Sequence, residues 1–219
     1  MIAWANLFGQ VVDWNAVADF LSAVSITVAA LVAAWGINAW RREFIGKRRI
    51  ELAEDVLSAF FAVRDAISSI RNPWSAVNEG LTREKRDNET PEETDLLNRA
   101  YVVTERYLKR EEVFSRFRTL KYRFMATFGK ETETNFSTVD RVLNRIFSAS
   151  RDAHTLEAQL QSVAGLQERK KALDEISDLK PVFYDHGLKC DEINQELGNV
   201  LSELERVTKR CFGRYCGNT

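Results

Sequence analysis

The sequence of 219 residues is 45% hydrophobic and 29% charged, which excludes an intrinsically disordered chain. Only 10 Gly and 3 Pro occur, too few for the turns of a β-sandwich or barrel, and the abundant Leu, Ala, Glu and Arg predict an all-α fold. The net charge of −1 gives the whole chain no general attraction to nucleic acid or to an anionic membrane.

A single uncharged segment runs from Phe20 to Trp40. As a helix with a rise of about 1.5 Å per residue, it would span roughly the 30 Å of a bilayer's hydrocarbon core. Trp14, Trp35 and Trp40 lie toward its ends, where indole rings prefer the membrane interface. The alternative is a buried core helix of a soluble protein, but apolar runs of this length are rare there. We therefore predict a transmembrane helix over residues 20–40.

The charges on the two sides of this segment predict its orientation. Residues 1–19 contain Asp13 and Asp19 and no Lys or Arg. The positive-inside rule then places residues 1–19 outside and residues 41–219 in the cytoplasm, as in a single-pass protein of a cell's inner membrane. A cleaved signal peptide would instead carry positive charge before its apolar segment. The basic residues that follow the segment, here called the basic collar, are Arg41, Arg42, Lys47, Arg48 and Arg49.

Small residues recur within the apolar segment at steps of three and four. On a helix they form one stripe, and such stripes let two transmembrane backbones approach closely. Self-association through this face is one hypothesis, and chance in an alanine-rich span is the other. The small-residue stripe consists of Ser22, Ser25, Ala29, Ala33 and Gly36.

The first cytoplasmic helix should end just before Pro73, because proline disfavours helix in the residue before it. Residues 75–90 lack apolar periodicity and predict a solvated loop. Thr90 then fits the N-cap of the next helix, with Pro91 in the first turn and Glu93 where a capping box requires it.

Three further apolar stretches with helical period complete the chain. The first of them should end at Gly129, which suits a C-cap, and the charged run 109–112 could interrupt it. The next extends from about residue 139 to residue 163, continues beyond Gly165, which could loosen the helix, and ends at Pro181. The last has apolar residues at steps of four and three over 193–211. The sequence therefore predicts an antiparallel bundle of about four long helices after the transmembrane helix.

Five short segments of the chain carry a resemblance to known proteins: Trp40-Arg41-Arg42-Glu43, Gly46-Lys47-Arg48, Glu51-Leu52-Ala53-Glu54, Tyr122-Arg123-Phe124 and Phe128-Gly129. Together with the closing helix, they resemble a group of uncharacterised bacterial single-pass inner-membrane proteins. These proteins have a short N-terminal anchor and a helical cytoplasmic domain, and the likeness covers most of the chain. The resemblance implies a bacterial inner-membrane setting and no particular chemistry.

Potential metal ligands are few. His186 and Cys190 stand four residues apart, which would put both on one face of a helix, but zinc needs three or four ligands. They also continue the apolar stripe of the last helix backward, which favours a buried histidine and a buried thiol. Cys190, Cys211 and Cys216 are an odd number near the C-terminus and predict free thiols instead of a disulfide framework. We predict no metal and no cofactor.

Catalytic motifs are lacking in the sequence, which has no nucleophile elbow, Walker loop or dinucleotide fingerprint. Glu51, Glu54 and Asp55 lie close together, but acids on an amphipathic helix usually form its solvated face. We therefore predict that the chain is not an enzyme.

Basic and aromatic residues alternate over residues 99–130. The basic residues could contact anionic headgroups or nucleic-acid phosphates. Pairing with the acidic region 50–98 is the favoured alternative, because the aromatic residues keep a core period. If the face does bind a partner, lipid is favoured over nucleic acid, since the anchor holds the domain beside the membrane. The candidate basic face consists of Arg106, Lys109, Arg110, Arg116, Arg118, Lys121 and Arg123.

These observations favour a non-enzymatic helical module, tethered to the bilayer, that recognises an unidentified partner protein or senses a state of the membrane's inner face. The first alternative is a membrane effector that oligomerises through the small-residue stripe and perturbs the bilayer, as in stress or phage-defence systems. The second is a membrane-tethered nucleic-acid binder.

Overall fold

The computed structural model describes the backbone of residues 14–160, 165–187 and 191–216, and the side chains of these residues as far as Lys209. This part of the chain is all-α and contains no strand, as the composition predicts. It holds six α-helices and one short 3-10 helix, where about four long helices and an anchor were expected. The helices are α1 (Trp14–Ile70), α2 (Pro91–Leu108), α3 (Glu111–Phe128), α4 (Glu133–Leu160), α5 (Leu166–Phe183) and α6 (Glu192–Cys216), with the 3-10 helix at Lys130–Thr132.

The chain divides into two compact units between Arg48 and Arg49. In the first unit, the structure describes only the helical residues 14–48. An 18-residue window of α1 has a mean hydropathy of 2.1, and none of it is buried. By length and composition α1 could cross a membrane.

The second unit has a core that begins with the C-terminal part of α1. Its apolar residues at helical spacing, such as Val56, Val63 and Ile70, are fully buried. Helix α4 contacts α2, α3, α5 and α6, so it lies at the centre of the packing. Aromatic rings join the helices there: Phe117 of α3 stacks on Phe136 of α4, with ring centroids 4.6 Å apart. Such pairs add to the stabilisation from apolar burial.

Most of the predicted helix ends are confirmed. Thr90 caps α2: its hydroxyl accepts a bond from Glu93 N at 3.2 Å, and the Glu93 carboxylate accepts one from Thr90 N at 2.9 Å. The interruption predicted at residues 109–112 lies between α2 and α3. Gly129 ends α3 with φ 109°, a backbone angle that favours glycine. Helix α1 ends at Ile70, three residues before Pro73.

Two predictions about the C-terminal helices are wrong. Helix α5 does not end at Pro181 but includes it and continues to Phe183, where Tyr184 N donates to Lys180 O at 2.8 Å. His186 does not extend the stripe of the last helix, because α6 begins at Glu192 and His186 lies exposed in the preceding segment. Cys190 lies outside the described residues.

Candidate functional site

Two buried arginines hold the segment that follows α1. The side chain of Arg71 is fully buried and makes a bidentate ion pair with Asp191, at 2.5 and 3.1 Å. The same guanidinium donates to the carbonyl oxygens of Pro181 at 2.7 Å and of Val182 at 3.0 Å, in the last turn of α5. Asp191 in turn caps α6 by accepting a bond from Asn194 N at 2.9 Å. Arg71 therefore joins the ends of α1 and α5 to the start of α6, and satisfies carbonyls that a helix end leaves free.

Arg106 of α2 also binds carbonyl oxygens of the segment that follows α1. Its guanidinium donates to the carbonyl oxygens of Ile70, Asn72 and Trp74, at 3.2, 2.5 and 2.7 Å. It also forms a bidentate pair with Glu79, at 2.6 and 3.2 Å. The hydrogen bond from Arg106 lowers the pKa of the Glu79 carboxyl below its usual value. The backbone of residues 70–79 is thus fixed from α2.

The loop between α1 and α2 comprises residues 71–90, and its second half is also held by hydrogen bonds and an ion pair. The buried carboxylate of Glu105 accepts a hydrogen bond from Gly80 N. Gly80 has φ 87°, and a side chain there would collide with the carbonyl oxygen of Asn98, so only glycine fits. Arg83 pairs with Glu89, and this bond lowers the pKa of Glu89 to about 2. Residues 75–90 therefore lack helix and are mostly exposed, as expected of a solvated loop, while parts of their backbone are pinned to α2.

This loop also carries large apolar side chains on its outer surface. Trp74 is 84% exposed and Val77 is 96% exposed, and Leu81 is exposed as well. The side chain of Asn72 accepts a bond from Trp74 N at 2.9 Å, while Arg106 holds the Trp74 carbonyl. Because tryptophan is enriched among the residues that contribute most to protein–protein binding, Trp74 is a candidate contact for a partner protein. We call Trp74, Val77 and Leu81 the apolar loop surface.

The candidate basic face is largely paired, but mostly not with the region 50–98. Only Arg106 pairs with that region, through Glu79, and it is buried, so it presents no charge to a partner. The remaining pairs are Lys109–Glu105, Arg118–Asp140 and Lys121–Glu133, at 2.6, 2.9 and 2.8 Å. Arg110, Arg116 and Arg123 have no ion-pair partner among the residues that the structure describes.

The basic collar and the small-residue stripe are exposed along α1. Lys47 pairs with Glu43 at 3.0 Å, and the Arg48 guanidinium lies 4.9 Å from the ring centroid of Phe44. Arg42 donates to Asn38 O at 3.3 Å, Arg41 is exposed and Arg49 is half-buried. All members of the stripe are exposed, and nothing lies within 4 Å of a side chain built at Gly36.

The residues considered for chemistry do not come together. Within the described ranges, no three His, Cys, Asp or Glu side chains are grouped so that they could hold a metal ion. His154 is buried and its Nδ1 lies 2.6 Å from Ser150 O, within its own helix, whereas His186 is exposed. Glu51, Glu54 and Asp55 are exposed on α1. The side chains of Cys190, Cys211 and Cys216 lie outside the described part.

The features that the sequence reasoning missed are Arg71, the pinned loop and its apolar surface. Helical periodicity gives one signal of the pinned loop. The buried face of α2 carries polar residues at helical spacing, and its members include Asn98, Val102, Glu105 and Arg106. Comparison with protein-family models, with curated proteins and with solved structures finds no match to this chain.

Proposed function

We propose that the chain is a membrane-tethered, non-enzymatic module that docks a partner protein on the cytoplasmic side of a bacterial inner membrane. In this proposal residues 20–40 cross the bilayer with the N-terminus outside, and the helices from Arg49 onward form an antiparallel bundle in the cytoplasm. The observation that carries the tether is an apolar helix none of whose 18-residue window is buried by its own chain. Lipid is the environment that such a surface requires.

The apolar loop surface is the proposed docking surface. Truncating an exposed tryptophan at the centre of an interface commonly costs more than 2 kcal/mol of binding free energy. Because buried side chains already hold this loop, binding would need little further ordering of its backbone. Tethering would add to the affinity by concentrating the module near other membrane proteins.

Site-specific photo-crosslinking in intact cells tests the docking surface. A photoreactive residue at Val77 should give one discrete adduct, and the further substitution Trp74→Ser should abolish it. The matched control places the same residue at Leu166, which is 88% exposed on α5. Adducts of equal yield from both positions, or an adduct at Val77 that survives Trp74→Ser, would refute the docking surface.

Extraction tests the tether separately. The chain should stay in the membrane pellet through alkaline carbonate washing, and the double variant Val28→Lys/Val32→Lys should reduce this retention, since each lysine at a span's centre costs roughly 3 kcal/mol. A C-terminal tag should be resistant to protease in spheroplasts until they are lysed. Full release of the wild-type chain by carbonate would refute the tether.

The small-residue stripe supports the effector as a second candidate, because all five of its residues are exposed on α1. Induced expression of the full chain would then depolarise cells, and Ala29→Leu/Ala33→Leu would remove the effect. A full chain that leaves the membrane potential unchanged would exclude this role. The nucleic-acid alternative rests on the three unpaired arginines of the basic face and predicts binding with steep salt dependence.

A further inference from the structure

A groove of about 610 Å³ lies between α2 and α4. This volume is typical of clefts that bind small organic molecules. Helix α2 lines one wall with residues spaced three and four apart, and α4 lines the other in the same way. The wall residues from α2 include Leu97, Ala100, Tyr101, Thr104 and Leu108, and those from α4 include Asn144, Phe147, Ser148 and Arg151.

The orientation of α2 leaves this groove unfilled. The face of α2 that carries Asn98, Glu105 and Arg106 is buried beneath the loop. Among the apolar residues of α2, Val102 and Val103 are buried, whereas Leu97 and Ala100 are only half-buried and border the groove. An amphipathic helix normally buries its apolar face, so this arrangement leaves apolar surface available to another molecule.

The charges around the groove are of one sign. Its lining contains Arg83 and Arg151 and no acidic residue, although acids slightly outnumber bases in the whole sequence. Arg83 is paired with Glu89, whereas exposed Arg151 has no ion-pair partner in the described part of the chain. The groove on the opposite side of α4, toward α5, is lined by Asp152, Glu175 and Asp178 and by no base. The linings of the two grooves therefore carry charges of opposite sign.

One polar group at the α2–α4 groove lacks a partner. Ser150 lines it and is 2% exposed, and its hydroxyl makes no hydrogen bond. Buried hydroxyls are nearly always bonded, so this one is an unsatisfied donor in the wall of the groove. Tyr107, whose hydroxyl accepts a bond from Arg118 at 3.3 Å, adds an aromatic wall.

From these observations we propose that the α2–α4 groove binds a small amphiphilic anion, with an aromatic or short aliphatic body and one carboxylate. The body lies against Leu97, Ala100 and Phe147, and the carboxylate pairs with Arg151. This ligand site is independent of the apolar loop surface and of the docking role proposed for it.

The full chain in nanodiscs of phosphatidylcholine can be titrated with 4-(4-fluorophenyl)butanoate and with the matching primary amide. Binding is read from ¹⁹F line broadening beyond that caused by empty nanodiscs. The carboxylate should bind more tightly than the amide. Arg151→Gln should weaken the carboxylate about fivefold, the effect of one exposed charge pair, and leave the amide unchanged. Arg169→Gln, which removes an exposed arginine of α5, should change neither.

Two filling variants test the location. Ala100→Trp and Ser148→Trp approach the groove from different helices, and each should abolish binding of both compounds while the circular dichroism stays helical. Absence of broadening in the wild-type chain, equal binding of carboxylate and amide, or binding that survives both filling variants would overturn the proposal. Binding of an acidic amphipathic peptide but of neither compound would also overturn it, in favour of a protein ligand.

Discussion

Breaking the ion pair between Arg71 and Asp191 should strongly destabilise the second unit. Arg71→Met removes the guanidinium, leaves the Asp191 carboxylate almost buried, with a side chain 7% exposed, and deprives the α5 carbonyls of their donor. Removing one member of a buried pair costs roughly 3–5 kcal/mol, a large fraction of the 5–15 kcal/mol that stabilises a typical domain. The double variant Arg71→Met/Asp191→Asn should recover part of this loss, because no charge remains buried and asparagine can still cap α6.

Urea denaturation of the full chain in mild detergent, followed by circular dichroism at 222 nm, measures these differences. The control is Arg206→Met, since Arg206 pairs with Glu203 on the surface of one helix, and such pairs contribute at most about 0.5 kcal/mol. The reasoning fails if Arg71→Met loses less than about 1 kcal/mol, or if the double variant is no more stable than the single one.

Three smaller changes follow from the same loop. Gly80→Ala should lower the free energy of unfolding by about 2 kcal/mol or more, because Gly80 has a positive φ. The control is Gly198→Ala, in open space on α6, which should be neutral or stabilising by up to about 1 kcal/mol. Equal effects of the two substitutions in urea titrations would contradict this. Thr90→Ala should cost about 1 kcal/mol by removing the capping box, and Thr90→Ser should not. The lowered pKa values of Glu79 and Glu89 mean that the unfolded chain binds more protons in acid. The ion pairs of these two carboxylates should therefore contribute fully to the free energy of unfolding above about pH 5, and their contribution should fall as the pH drops toward 2. A free energy of unfolding that stays constant over this pH range would contradict the pairing.

Local signals in the sequence predicted the helix boundaries well. The capping box at Thr90, the C-cap at Gly129 and the break at 109–112 each depend on a few neighbouring residues, and each is confirmed. The α5 boundary was wrong by two residues, since Pro181 lies in the last turn of the helix, where a distant residue, Arg71, bonds its carbonyl oxygen. No local pattern contains that contact, which joins residues 110 positions apart.

The candidate site was less predictable than the fold. Arg106 was named in a candidate basic face whose residues were expected to pair with the acidic region 50–98. It does pair with Glu79 of that region, but its burial depends on loop carbonyls that periodicity does not register. Helical periodicity does not distinguish Val103 of α2, which is buried in the core, from Leu97 and Ala100, which border an open groove. Exposure of an apolar stripe is decided by which neighbours pack on it, and that is a property of the whole fold.

Part of the loop after α1 is held through its backbone atoms by side chains of α2. Arg106 and Glu105 belong to α2, and they bind backbone atoms of the loop, which are the same whatever the loop's side chains are. Residues such as Trp74 and Val77 can therefore be exchanged without redirecting the chain. After a gene duplication, one copy of the protein could acquire a new partner by substitutions at these exposed positions alone, without any change in the helices that support the loop.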